Sequence, residues 1–263
     1  MKINFKTFLW ALKLGAPLNL ALLALTFAAP LASVDAHLLL PARILLAVNA
    51  FRCLFPVSYQ DNIVLHDSPL SSIFLTRLLA TFSEVALIYQ LATLLRLLNT
   101  SRLGWIDLLA GGMLGVVLVS QVFVWGQVLT GRLALFFYEE LGWLLIYAAN
   151  TFASVYIYIT VDISGGRLLL LQLNLLFGAL YLPWQVIHLR FLRANARQRL
   201  LEDGPTETVS RGLLMKGLQR ALHLRNQSSE ASAWGGWVGA LWMTAYWATL
   251  MPLWVFLIER GMA

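Results

Sequence analysis

Three carboxylates and one guanidinium stand well inside stretches that are otherwise almost continuously apolar: Arg77 and Glu84 between Leu70 and Leu98, where a second arginine, Arg96, lies close to the far end, and Glu139 and Glu140 between Leu133 and Thr160. A charge at the centre of a bilayer costs at least about 2.5 kcal/mol, so such groups face protein or enclosed water and find partners. Offsets of four and seven residues return to nearly the same helical angle, which puts Arg77, Thr81 and Glu84 on one face. Between Leu133 and Thr160, the residues Glu140, Tyr147, Thr151, Ser154 and Tyr158 form a polar stripe, with Glu139, Trp143 and Asn150 beside it. Between Leu168 and Leu189, Asn174, Tyr181, Gln185 and His188 share a face, and Gln121 and Gln127 add to the fourth apolar stretch.

Two adjacent carboxylates beside one guanidinium do not both stay ionised in a low dielectric, so the set is expected to carry a movable proton. That is the equipment for acid-base catalysis or proton coupling. The leading expectation is therefore an acid-base enzyme with a cytoplasm-facing polar cavity, acting on an isoprenoid or other lipophilic molecule. Glu139 or Glu140 would be the acid and Glu84 the second carboxylate. Arg77 would tune them or bind an anionic head, while Tyr147, Asn150, Gln185 and His188 line the substrate. A proton-coupled small-molecule transporter would use the same groups, and an accessory subunit would use the stripes as interfaces. The plainest alternative is that Arg77 and a glutamate only lock two helices together.

The elements that hold these residues follow from composition. The chain has 263 residues, 59% hydrophobic and 12% charged, with a mean hydropathy of +0.73, about half the charge of a soluble domain. At ~20 residues per crossing, this length accommodates a single all-α, polytopic transmembrane bundle and no second domain. Apolar stretches run from Leu14 to Val34, His37 to Phe55, Leu70 to Leu98, Trp105 to Leu129, Leu133 to Thr160, Leu168 to Leu189 and Trp234 to Ile258. The first, behind Lys2, Lys6 and Lys13, also resembles a signal peptide with small residues near Ala32 and Ala36; its length favours a retained span. The second, with Pro41, Arg43 and Arg52, is the weakest.

If that second stretch crosses, Lys2, Lys6, Lys13, Arg132 and the eight basic residues from Arg190 to Arg225 all fall on one side, as the positive-inside bias requires. Seven spans are therefore expected, with the N-terminus inside and the C-terminus outside, or six if the second does not cross. Arg96 and Arg102 then lie outside, against the trend. The expected address is the cytoplasmic (inner) membrane.

Residues 190–232 read as a basic cytoplasmic loop containing an amphipathic helix from Val209 to Leu224, which would lie on membrane lipids or dock a protein partner. Trp105, Trp234 and Trp237 read as interfacial anchors. Asp67, Ser68 and Pro69 read as the cap and first turn of the third span, with His66 beside them as a possible polarised imidazole.

Several chemistries are excluded by residue type. The net charge of +6 is concentrated beside an apolar stretch, which speaks for lipid and against nucleic acid. No lysine follows Lys13 in any span, so a retinal Schiff base has no attachment point. The four histidines show no pair at helical spacing, and Cys53 is the single cysteine, so no metal or haem site is expected. Nucleotide-binding and GxSxG signatures are absent, and no cofactor is expected.

Overall fold

The computed structural model describes residues 5–28, 34–59, 62–203 and 208–262. The helices in chain order are α1 (Phe5–Leu12), α2 (Gly15–Leu25), α3 (Ala36–Leu54), α4 (Ile73–Leu98), α5 (Gly104–Thr130), α6 (Leu133–Thr160), α7 (Gly165–Asp203), α8 (Arg211–His223), α9 (Gly236–Met243) and α10 (Leu250–Met262). Strands β1 (Val57–Ser58), β2 (Ile63–Val64) and β3 (Asn226–Gln227) form the small sheet among the described residues. Seven helical stretches are long and apolar enough to cross a bilayer, with mean hydropathies of 1.3 to 2.0. The chain is an all-α, multi-pass integral membrane protein. Leu108, Val122, Ile159 and Leu180 are exposed on its helices, an apolar surface that lipid solvates and water does not.

The first span begins at Phe5, well before the expected Leu14. Lys13 sits in the turn between α1 and α2, its ammonium 3.7 Å from the centroid of the Trp10 ring. That ring face offsets part of the cost of a cation inside the span. Lys2 and the end of the expected first stretch, residues 29–33, lie outside the described residues.

The weak second stretch is a continuous 19-residue helix, α3. Asp35 caps it by accepting from the His37 amide at 2.8 Å. Pro41 sits inside the helix, in its second turn, where it has no amide to give the carbonyl four residues earlier. Arg43 donates to the Thr26 carbonyl at 2.7 Å and to its hydroxyl at 3.0 Å, so its charge is met at the end of α2.

The third span begins at Ile73 after a short 3-10 turn, Pro69–Ser71, which Ser68 caps. The amide of Leu75 then turns to the Ser72 hydroxyl. The sixth span, α7, continues past the expected Leu189 to Asp203, so the start of the basic segment is helical and carries Arg190, Arg193 and Arg197 exposed.

The last span is broken. Between α9 and α10 lies a π segment, Thr244–Ala248, in which the Thr249 amide reaches back five residues to the Thr244 carbonyl at 2.9 Å. Pro252 supplies the cause. It has no amide to give the Ala248 carbonyl four residues earlier, and its ring crowds that carbonyl, so the ladder changes register just before it.

The chain divides into two compact units, residues 1–87 with 219–263, and residues 88–218. In the first, α2 and the π segment pack on α3, and α10 joins them. Gly15 permits this approach, since a Cβ there would stand 2.6 Å from that of Ala248. In the second, α5, α6 and α7 pack in sequence order. Small residues set their separation: a Cβ at Gly142 would lie 1.9 Å from the Ser120 hydroxyl, and one at Gly178 2.1 Å from that of Thr151. Close helix approach over small residues is the usual packing mode where lipid removes the hydrophobic drive.

Candidate functional site

In the first unit the site begins with α4. Arg77 and Glu84 lie seven residues apart, a rise of about 10.5 Å on one helical face. Their long side chains close that gap in an ion pair between Nη2 and Oε2. Both are buried, at 2% and 6% exposure. Thr81 completes the face, its hydroxyl donating to the Arg77 carbonyl at 3.0 Å.

The Arg77 guanidinium also stands 5.6 Å from the ring centroid of Tyr59, in the segment between α3 and α4. From the other side, Arg52 in the last turn of α3 points Nη2 at the Tyr59 hydroxyl at 3.5 Å. Arg52 lies over the rings of Trp247, at 4.4 Å, and Tyr246, at 5.8 Å, both in the π segment. That segment is held by two amides from neighbouring helices. Asn19 Nδ2 donates to the Trp247 carbonyl at 2.9 Å, and Asn49 Nδ2 to the Tyr246 carbonyl at 3.0 Å. The register change that Pro252 imposes turns these carbonyls sideways, and buried asparagines meet them, as backbone freed inside a membrane requires.

The surrounding loops are ordered by the small sheet. β1 pairs antiparallel with β2, and β2 pairs parallel with β3, joining Ile63 to Asn226 and Val64 to Gln227. Arg225 pairs with Asp67 at 2.7 Å. Asp67 is paired with Arg225 and Ser68 does the capping; no ion pair of His66 with Asp67 occurs among the described residues. His66 instead meets Trp10 edge-on at 5.4 Å and Phe55 at 6.5 Å. Burial, and secondarily the charge of Lys13, hold its imidazole below the ordinary value of 6.5. The last turn of α1, the segment from Phe55 to Asp67 and Arg225 thus share one end of this unit. Trp234, expected as an interfacial anchor, is buried, and its indole donates to the Ser228 carbonyl at 3.0 Å.

In the second unit, Asn150 Nδ2 donates to Asn174 Oδ1 at 2.8 Å, and Asn174 Nδ2 donates to the Ser154 hydroxyl at 2.7 Å. About three turns away, Gln185 Nε2 donates to both the carboxylate and the backbone carbonyl of Glu140, at 2.7 and 2.8 Å. Two polar stripes thus meet edge to edge along the α6–α7 seam. Tyr147 is buried against Phe177 and Tyr181, with centroids at 5.0 and 4.7 Å. His188 stacks on Trp184 at 6.1 Å and stands edge-on to Phe136 at 6.5 Å. Glu139 is buried at 4% exposure, and Glu140 is half-buried.

The expected residues fall into two sets. Arg77 and Glu84 belong to the first unit, and Glu139, Glu140, Tyr147, Asn150, Gln185 and His188 to the second. Arg52, Tyr59, Asn19 and Asn49 were not anticipated. A lone Asn in each of two apolar stretches, and a Pro four residues after Ala248, were the available signals. Among the described residues, no three His, Cys, Asp or Glu converge as metal ligands. Comparison with protein-family models, with curated proteins and with solved structures gives no match for this chain.

Proposed function

We propose that this protein is a membrane-embedded acid-base enzyme acting on an isoprenoid or other lipophilic molecule, set in the cytoplasmic (inner) membrane with its N-terminus inside. The observation that carries this is the ion pair of Arg77 and Glu84, buried within a single membrane span. Such a pair costs desolvation on both sides, and a helix has no need of it for its own stability. It holds a carboxylate ready in a dry environment, where a proton transfer feels the full effect of the nearby cation. Glu139 and Glu140 are the further acid candidates. The hydrogen bond from Gln185 fixes one Glu140 oxygen in place.

The test is a comparison of the lipophilic extract of cells expressing the wild type with extracts from Glu84→Gln, Glu139→Gln and Glu140→Gln. A species that changes with the wild type and reverts in at least one variant is expected. Identical profiles in all four would defeat the proposal.

A second reading, a proton-coupled transporter, draws on the broken last span. Interrupted helices with sideways carbonyls are where transporters hold cargo. Uptake into proteoliposomes driven by a pH gradient, abolished by Glu84→Gln, would favour it. As for a partner-docking role of α8, Gly217 on that helix lies so close to Leu129 at the end of α5 that a Cβ would stand 1.8 Å from its carbonyl oxygen. One face of α8 is thereby committed to this chain, and a protein partner or lipid would take the other.

A further inference from the structure

We propose that Arg52, Tyr59 and the indole of Trp247 form a binding site for the phosphoryl head of an amphiphile whose chain lies in the apolar groove beside α1 and α2. The proposal names the substrate class for the site described above, but it concerns binding and holds whether or not the carboxylates transfer a proton.

The first observation is a surplus of buried donors. Arg52 is 5% exposed, and its Nε and Nη1 meet no hydrogen-bond acceptor among the described residues. Its Nη2 has only the long contact to Tyr59. Trp247 is equally enclosed, and its Nε1 also meets no acceptor. No ion pair of Arg52 with a carboxylate occurs among the described residues. A guanidinium so placed is costly. The faces of Trp247 and Tyr246 offset part of that cost, but aromatic faces leave the in-plane N–H groups unused. Nη2, whose contact to Tyr59 is a long 3.5 Å, forms with either Nε or Nη1 the planar fork that matches two oxygens of a phosphate.

The second observation is charge. Tyr59 lies between Arg52 and Arg77, and the carboxylate seen here, Glu84, is paired with Arg77. Arg52 itself, with no carboxylate on it among the described residues, brings a positive charge that an anion would neutralise.

The third is an apolar space alongside. A groove of about 270 Å³ is lined by Phe8, Leu12, Gly15, Leu18, Thr244 and Ala248. It abuts the π segment that carries Trp247, and its Gly15 approaches Cys53 of α3, the helix that carries Arg52, while Arg52, Tyr59 and Trp247 lie behind its lining residues rather than among them. A head held at Arg52 and a hydrocarbon chain in this groove suit one amphiphilic molecule.

The test uses the full chain in maltoside micelles, which carry no phosphate, titrated calorimetrically with farnesyl phosphate, farnesol and inorganic phosphate. Wild type is expected to bind farnesyl phosphate at least about ten-fold more tightly than either of the others, as one charge-assisted bidentate contact provides. Arg52→Gln should bring farnesyl phosphate to parity with farnesol, while the empty variant melts no lower than the empty wild type, because an unmatched charge has been removed. Equal binding of farnesyl phosphate and farnesol by wild type overturns the proposal. Inorganic phosphate binding as tightly as farnesyl phosphate overturns the amphiphile in favour of a free oxyanion. An empty Arg52→Gln protein that fails to fold overturns the surplus-charge argument, and the wild-type comparison still decides the ligand. Binding that behaves as expected, with unchanged extracts from the glutamate variants, would retain this site and remove the enzyme reading.

Discussion

Replacing Asn174 by Leu tests whether the α6–α7 seam is a structural staple. The change conserves approximate volume and deletes two buried hydrogen bonds, one from Asn150 at 2.8 Å and one to Ser154 at 2.7 Å. Side-chain hydrogen bonds between membrane helices contribute about 0.6 kcal/mol on average and about 1.7 at most, because the dissociated helices find other partners. Two of them give about 1–3 kcal/mol, and Ser154→Ala, which removes one, should lose about half as much. The assay is reversible unfolding in mixed micelles with increasing dodecyl sulfate, followed by tryptophan fluorescence. A cycle of Asn150→Ala, Asn174→Ala and the double variant isolates the coupling, expected at about 0.6–1.7 kcal/mol. A coupling indistinguishable from zero, or an Asn174→Leu protein as stable as the wild type, would refute the staple and return Asn150 to the list of groups free to meet a ligand.

Three further outcomes follow from the same geometry. Glu84→Leu leaves the buried Arg77 without its helix partner and should cost about 3–5 kcal/mol in that unfolding assay, much of which Arg77→Met combined with Glu84→Leu should restore; equal loss in the double variant would mean that the pair is not the source. Gly178→Val pushes a side chain into Thr151, whose hydroxyl stands 2.1 Å from the Cβ position, and should cost about 1–3 kcal/mol, partly relieved by Thr151→Ala. His66 titrates below its ordinary value of 6.5 because it is partly buried and near Lys13. The unfolded chain therefore binds the proton first as pH falls, so stability should decline below about pH 6.5 and level off below the folded value. His66→Phe should flatten that part of the profile, and an unchanged slope would assign it to another group.

Span count and most span limits were legible because lipid imposes a length and a composition on any crossing helix. The fifth stretch, Leu133 to Thr160, matches α6 at both ends. Facing residues were also legible where helical angle alone decides, as for Arg77 with Glu84 and for the polar edges of α6 and α7. Partner choice was not. Asp67 next to His66 invited a dyad, whereas Arg225, far along the chain, claims the carboxylate. Arg52 counted only as a blemish on a weak span, since periodicity does not say that Trp247 and Tyr59 will surround it. Lys13 marked a false boundary because an aromatic neighbour lets the helix carry it. The break at Thr244–Ala248 was written in Pro252, but Pro252 sits inside an apolar run where hydropathy conceals it.

The parallel pairing of β2 with β3 also sets an order of assembly. The Gln227 side chain donates from Nε2 to the Leu65 carbonyl across 162 residues, and the unit they belong to is built from both ends of the chain, whereas residues 88–218 form the other without interruption. During synthesis the continuous unit has all its strands of contact first, and contacts distant in sequence close late. Until the last span emerges from the ribosome, Asn19, Asn49 and Arg52 face the bilayer without the π segment that covers them. A nascent chain stalled before that point would expose three polar groups to hydrocarbon, a mark by which membrane quality control could recognise it as unfinished.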